Sequence, residues 1–318
     1  MAISKSQSFF EQLWYRPSPL WLWLFFPLQL LLRGVVFIRQ IFYRFGIFKS
    51  TQLSKPVVVI GNINVGGTGK TPLSIYILQW LQSEGYQPGL VTRGYGGTAE
   101  NHPLVLDDDT SPEICGDEPY LIFHKTNAPI VVDPNRARGG QKLIELGCDI
   151  VICDDGLQHY ALKRDLEVAV VDSKRGLGNG WLMPMGPLRE PPSRLKTVDM
   201  IIRNGESMTL KPLPIEGVGH NTTMSASVVD AVAAIGHPQR FFDTLKSVGL
   251  EVIPHSFPDH HQYSAEDFTG MTGPIVMTEK DAVKCHHIAD SRMYYLPVET
   301  ELSNEAADEL QRRLLELL

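Results

Sequence analysis

The residues best equipped for chemistry stand in one glycine-rich turn: Gly66, Gly67, Thr68 and Gly69, followed at once by Lys70 and Thr71. Such glycines let the backbone curl until its N–H groups point inward at an anion. The next-in-line ammonium then reaches the outer phosphates of a nucleoside triphosphate, and the threonine hydroxyl can join a magnesium shell. At position 64, where the general pattern has another glycine, the residue is Asn. Asp154-Asp155 would be the second half of such a site, holding magnesium or its waters, with the ligating carboxylate left open. Asp117, in Gly-Asp-Glu-Pro at a predicted helix start, could cap that helix or serve the site. The adjacent pair His260-His261 could bind a metal or sit exposed in a loop. Arg93, Arg136, Arg138 and Arg189 fall on loops where guanidinium groups could clamp an anionic sugar phosphate bidentately.

These residues need a frame to bring them together. Residues 57–60 are all β-branched and predict a buried strand running into the glycine turn. Pro72 suits the first turn of the helix that follows, predicted over 73–83 and closed by Gly85. The positive end of that helix would face the anion. Further strands are predicted at 88–92, 129–132, 149–153 and 166–171, with helical stretches at 120–125 and from Arg136 to Leu146. Strands alternating with helices imply a doubly wound, mostly parallel sheet, which collects ligands at the carboxyl ends of its strands. Residues 177–194 read as a Pro/Gly-rich loop, and 204–224 lack periodicity and suggest a domain link. A second αβ series follows, with strands at 228–235, 250–255, 275–278 and 293–297 and helices at 238–248, 265–270 and 280–285; an amphipathic helix over 301–318 ends the chain. The expected architecture is therefore α/β and P-loop NTPase-like: a head over 1–50, a P-loop domain over 51–213 and a smaller α/β domain over 214–318.

The chain is 318 residues long with a net charge of −7. That charge is unevenly spread, since Lys5, Arg16, Arg33, Arg39, Arg44 and Lys49 face only Glu11 in the first 49 residues. The acidic remainder argues against sequence-independent nucleic-acid binding. Cysteines 115, 148, 153 and 285 contain no C-x-x-C pair, so reduced thiols are expected. The apolar run over 20–32, interrupted by Pro27, is too short for a hydrocarbon core that takes about 20 residues. No signal-peptide cleavage site is evident. An interfacial helix fits better, with Trp21, Trp23, Phe25 and Phe26 in the headgroup zone and Arg33, Arg39 and Arg44 on anionic lipid.

Taken together, these pieces resemble the tetraacyldisaccharide 4′-kinase family, the lipid A kinases of Gram-negative bacteria. The resemblance runs through 61–72 (GNINVGGTGKTP), Arg93-Gly94-Tyr95-Gly96, Gly116-Asp117-Glu118-Pro119 and 154–159 (DDGLQH). It continues through 186–191 (GPLREP), 257–261 (FPDHH) and 278–282 (TEKDA), with Leu157 standing where Phe is common. It implies transfer of the γ-phosphate of ATP, with Mg2+, to the 4′-hydroxyl of an acylated glucosamine disaccharide 1-phosphate. The site would be the cytoplasmic face of the inner membrane, and no protein partner is implied. The resemblance further implies a catalytic set of Asp117, His260, Lys70 and Arg189, the histidine being either member of the Asp-His-His stretch. Nucleotide contacts would come from 66–71 and from Thr278, Glu279, Lys280 and Asp281, with Lys284 near the base. Thr71, Asp154 and Asp155 would serve the metal, and Asn62, Arg93, Tyr95 and Arg136 the acceptor. The rival reading is a membrane-associated switch ATPase sharing GGTGKT; it wants a lysine just before the glycine pair, where this chain has Val65.

Overall fold

The structure is a computed structural model and describes residues 13–15 and 20–318. Lys5, Glu11 and Arg16 of the basic head lie outside the described residues. A 3-10 turn, Leu20–Phe25, leads into helix α1, Phe26–Arg44. The body then opens with strand β1, Val57–Gly61, every residue of which is buried. A strand covered on both faces reads as a continuous apolar run, and this one is the centre of the main sheet. Around it lie β2 (Pro88–Thr92), β3 (Leu104–Val105), β4 (Ile130–Val132), β5 (Ile150–Asp154), β6 (Leu166–Asp172), β7 (Met200–Asn204) and β8 (Met208–Pro212). With a late strand, β14 (Val298–Leu302), the order is β14-β8-β7-β6-β1-β5-β2-β4-β3. From β7 across to β4 the neighbours pair in parallel, while β3 at one edge and β14 at the other are antiparallel.

Helices α2 (Lys70–Ser83), α3 (Asp117–Thr126) and α4 (Arg136–Glu145) provide crossovers. On one face Val58, Ile60 and Val168 pack with Leu73, Ile77 and Leu81; on the other Val57, Val59 and Val151 pack with Leu143 and Leu157. Each fully buried Leu or Ile contributes about 1.5–3 kcal/mol. The result is a rigid platform with β1, β2, β4, β5, β6 and β7 all ending on one side.

A second sheet has the order β11-β10-β12-β13-β9. Its strands are β9 (Glu216–Gly217), β10 (Val228–Ala233), β11 (Glu251–Ser256), β12 (Ile275–Thr278) and β13 (Met293–Leu296), accompanied by α5 (Pro238–Ser247) and α6 (Glu279–Cys285).

Two expectations need correction. The stretch 204–224 holds the end of β7, all of β8 and β9, and so is no plain link. The chain end is also different: Val298–Leu302 is an edge strand paired with β8, and the terminal helix α7 is Asn304–Leu315. Both belong to the first sheet, where Leu302, Ala306, Leu310 and Leu314 join the core of Leu73 and Ile77. The boundary drawn over 214–318 therefore assigned too much to the smaller unit. Glu301 and Leu302 were read into the helix, but they end an alternating, half-buried edge strand in which Glu299 and Glu301 point outward.

Candidate active site

The glycine turn follows β1 and is pinned from several sides. Gly66 and Gly69 have φ of +102° and +100°, the left-handed region that glycine enters without steric cost. A Cβ on Gly69 would also meet Asn204 Nδ2 at 2.4 Å. Asn204, at the tip of β7, donates to the Thr68 carbonyl at 2.9 Å. Asn62 donates to Thr68 Oγ1 at 3.1 Å and to the Gly66 carbonyl at 3.4 Å. From outside, Val65 N–H donates to the Pro187 carbonyl at 2.8 Å and Arg189 N–H to the Ile63 carbonyl at 2.7 Å. Asn62 was expected at the acceptor; it is fully buried and braces the loop instead. Its carboxamide carries the two donors needed to tie the turn back on itself.

Asp154 ends β5 and Asp155 follows with φ +47°, a costly conformation for a non-glycine residue. Lys70 Nζ lies 3.3 Å from Asp155 Oδ1, and Arg189 Nη1 reaches the same carboxylate at 3.2 and 3.0 Å. Burial works to raise the Asp155 pKa, but Lys70 and Arg189 outweigh it and hold the group down to about 2. Asp154 is different. It is 1% exposed, with Ser74 Oγ donating at 3.4 Å. Burial, then the neighbouring Glu118 carboxylate, push its pKa well above the ordinary range. A buried carboxylate whose burial outweighs the nearby cations, lining the same cleft as Thr71, fits a divalent cation. Among the described residues no three His, Cys, Asp or Glu side chains form a metal cage.

Where the two units meet, a second constellation forms. Asp117 is the first residue of α3, 5% exposed; the capping position belongs to Gly116. The Asp117 carboxylate accepts from Glu118 N–H at 3.1 Å and faces His260 Nδ1 at 3.0 and 3.1 Å. His260 carries φ +60°, so the backbone is bent out of its comfortable range to bring the imidazole there. Burial raises the Asp117 pKa, yet hydrogen bonding to His260 and the charge of Lys280 more than offset it and leave it lowered. His261 turns the other way, stacking on Phe257 and meeting Asp267 at 3.1 Å. The structure thus selects His260. Tyr95 lies against it, ring centroids 4.9 Å apart.

The cleft between the two constellations encloses about 1970 Å3 and is bordered by Lys70, Asp155, Arg189, Tyr95, Arg136 and Lys280 among others. Arg93 is exposed at its mouth. Arg136 is 4% exposed, with Nη1 on the Asp133 and Pro134 carbonyls at 3.1 and 3.4 Å and its Nε buried without a partner. Arg138 is committed to Asp133 at 2.7 and 2.9 Å. His159, beside this group, is held neutral: burial, followed by Arg136, Arg164, Arg39 and Arg93, lowers its pKa to about 4. Thr278 and Glu279 border the cleft, but Asp281 is fully buried. Its carboxylate is taken by Thr278 Oγ1 at 2.6 Å, Ala234 N–H at 3.0 Å and Lys284 at 2.9 Å, so it ties α6 to the neighbouring strand.

Sequence reasoning missed Asn204 and Glu190 as site residues and expected Arg39 only at the lipid. Asn204 could have been found as a polar residue at the carboxyl end of an apolar strand; its Oδ1 accepts from Arg240 Nη2 at 2.5 Å, joining the smaller unit to the phosphate loop. Glu190, 2% exposed, accepts from Gln158 at 2.8 Å, from Gln40 of α1 at 2.9 Å and from Tyr160. Arg39 donates to the Gln158 carbonyl at 2.9 Å. No local signal in the sequence links α1 to this rim.

A phosphate loop, a buried carboxylate at the adjacent strand tip and a carboxylate–imidazole pair facing them define a P-loop kinase. Residues 21–317 match the family described as tetraacyldisaccharide-1-P 4′-kinase. The tetraacyldisaccharide 4′-kinase of Tolumonas auensis is 45% identical over 96% of this chain and 98% of its own length, and that of Vibrio vulnificus 42% over 97% of both. The crystal structure of Aquifex aeolicus LpxK in complex with ATP superposes with a TM-score of 0.79 at 26% identity, covering 92% of this chain and 98% of its own. The chain belongs to the tetraacyldisaccharide 4′-kinase family, and its activity is that of an ATP-dependent kinase of lipid A biosynthesis. The switch-ATPase reading falls away.

Proposed function

We propose that Asp117 accepts the proton of the acceptor's 4′-hydroxyl as the oxygen bonds to the γ-phosphorus of ATP and ADP departs. A sugar hydroxyl is a weak nucleophile, and in the loose transition state of phosphoryl transfer its proton leaves late, so a positioned carboxylate contributes about 10²–10⁴-fold. The observation that carries this is the 3.0 Å contact between His260 Nδ1 and Asp117 Oδ1, made from opposite sides of the cleft. With Nδ1–H donating, His260 fixes the carboxylate's orientation and keeps it ionised. Lys70 and Arg189, both converging on Asp155, supply the cations for the β- and γ-phosphates. Bound by Thr71 with Asp154 or Asp155, Mg2+ would supply further neutralisation of the triphosphate. Arg93 and Arg136, with Arg39 beside them, offer positive charge to the acceptor's 1-phosphate. Tyr95, 68% exposed, offers an aromatic face to a sugar ring. The direct test incubates γ-labelled ATP with tetraacyldisaccharide 1-phosphate. A doubly phosphorylated, labelled lipid is expected; label released only as inorganic phosphate would refute the transfer.

The acceptor carries acyl chains, and α1 has the composition to meet them. Its inward face includes Gln29, 1% exposed, and Gln40, whereas Leu28, Leu31, Val35, Phe37 and Ile38, with Leu24 of the preceding turn, are exposed. An amphipathic helix on a water-soluble body has the opposite arrangement. Apolar residues outward and polar ones inward suit an anionic lipid surface, with the enzyme seated peripherally on the cytoplasmic face of the inner membrane. Replacing Leu24, Leu31 and Phe37 together by Glu should abolish partitioning into anionic liposomes in a sedimentation assay while ATP affinity stays within about threefold. Unchanged sedimentation would put the anchor elsewhere.

A further inference from the structure

Lys280 opens α6 in the smaller unit, and its side chain is 16% exposed. Its ammonium crosses the cleft to Glu118 Oε1 at 2.9 Å and Asp117 Oδ2 at 3.7 Å, and meets Asp259 Oδ1 of its own unit at 3.6 Å. The ammonium donates a hydrogen bond to Glu118 and stands within ion-pair distance of the other two carboxylates, so its charge is shared among three anions. The helix that carries it is fixed independently: Thr278 Oγ1 accepts from Asp281 N–H at 3.2 Å, and Glu279 pairs with Lys125 of α3.

Three carboxylates gathered in a partly dry cleft, close to an incoming triphosphate, repel one another and favour protonation. A single cation among them reverses that preference. We infer that Lys280 is a positioning residue for the proton acceptor, a cation that crosses the cleft to keep Asp117 ionised and aimed only when the smaller unit is docked on the larger. This rests on the reading of Asp117 as the base.

The groups facing Asp117 are few. His260 comes from the segment after β11, Lys280 and Lys284 from α6, and Glu118 and the Cys115 thiol from its own stretch of chain. Lys284 stands 3.9 Å from Asp117, but Asp281 at 2.9 Å and the His261 carbonyl at 3.0 Å hold it back. It cannot replace Lys280. Burial opposes ionisation of Asp117, and His260, Lys280 and Lys284 together overcome it.

The test is the pH dependence of kcat for Lys280→Met at saturating ATP and acceptor. The base works only when ionised, so loss of the cation raises its pKa and activity disappears from the acid side first. The acid limb should move up by about one to two pH units, about a tenfold rate loss per unit on that side. The KM for ATP should stay within about threefold, and Lys280→Arg should return most of the limb. An unmoved limb with a tenfold or greater rise in KM for ATP would make Lys280 a nucleotide ligand and overturn the inference. If Lys280→Met does not fold, Lys280→Gln keeps a hydrogen-bonding side chain without the charge and gives the same readout. Asp117→Asn, run in parallel, separates the two readings. Near-normal turnover there removes the base itself, whereas an inactive Asp117→Asn beside an unmoved Lys280→Met limb removes only the role given to Lys280.

Discussion

Asp117→Ala lowers kcat at least about 100-fold and leaves the affinity for ATP within about threefold. A factor of 100 corresponds to about 2.7 kcal/mol of transition-state stabilisation, the lower end of what a positioned general base supplies. ATP affinity is spared because the phosphate loop is held by contacts in which Asp117 takes no part, the Thr68 carbonyl by Asn204 and Lys70 by Asp155. The fold is expected to survive: the carboxylate's partners are one helix N–H, the His260 imidazole and the lysines of α6, none in a hydrophobic core. Losing a buried anion does leave Lys280 with one partner fewer, so a small fall in thermal midpoint is expected. The measurement is steady-state kinetics with labelled ATP together with nucleotide affinity by calorimetry. Turnover within a few-fold of the unmodified enzyme would remove Asp117 as the proton acceptor.

Lys70→Ala abolishes transfer. Lys70 is the first residue of α2, its side chain is 12% exposed, and it sits 3.3 Å from Asp155 with Arg189 on the same carboxylate. In phosphoryl transfer nearly all catalysis is positioning and charge compensation, so removing the cation aimed at the outer phosphates has no substitute within the loop. Arg189 remains, but it is tethered by the brace that runs from its own N–H to the Ile63 carbonyl. Deleting Lys70 also leaves Asp155 with one cation instead of two, so its carboxylate rises from about 2 toward the ordinary range. Product formation below about 0.1% of the unmodified rate is expected in the labelled-lipid assay. Substantial residual transfer would contradict the phosphate-loop assignment.

The parts of the site that were legible beforehand share one property: their signals are local. Gly66, Gly69 and Lys70 declare themselves because the left-handed turns that glycine permits, and the helix start after it, are encoded within a few residues. The strand tips at Thr92, Asp154 and Asp172 follow from short apolar runs bounded by polar residues. The errors also have a common cause. Asn62 and Asp281 have polar types suited to ligands, and only packing shows that one ties down the loop and the other accepts from Thr278 and the Ala234 N–H behind α6. The strand at Val298–Leu302 gave an ambiguous five-residue pattern, resolved by pairing with β8 some 90 residues earlier.

By itself, then, the amino-acid order determined a triphosphate loop at the end of a buried strand, an acidic pair at a neighbouring strand end, an αβ alternation and an apolar, basic head. Tertiary structure decided which histidine meets Asp117, that Lys280 spends its charge on carboxylates, and that the chain end returns to the first sheet. The reason is reach. Backbone preferences act over a few residues, whereas the partner of a charge separated by more than 140 positions, as His260 is from Asp117, is fixed only when the two sheets close on each other.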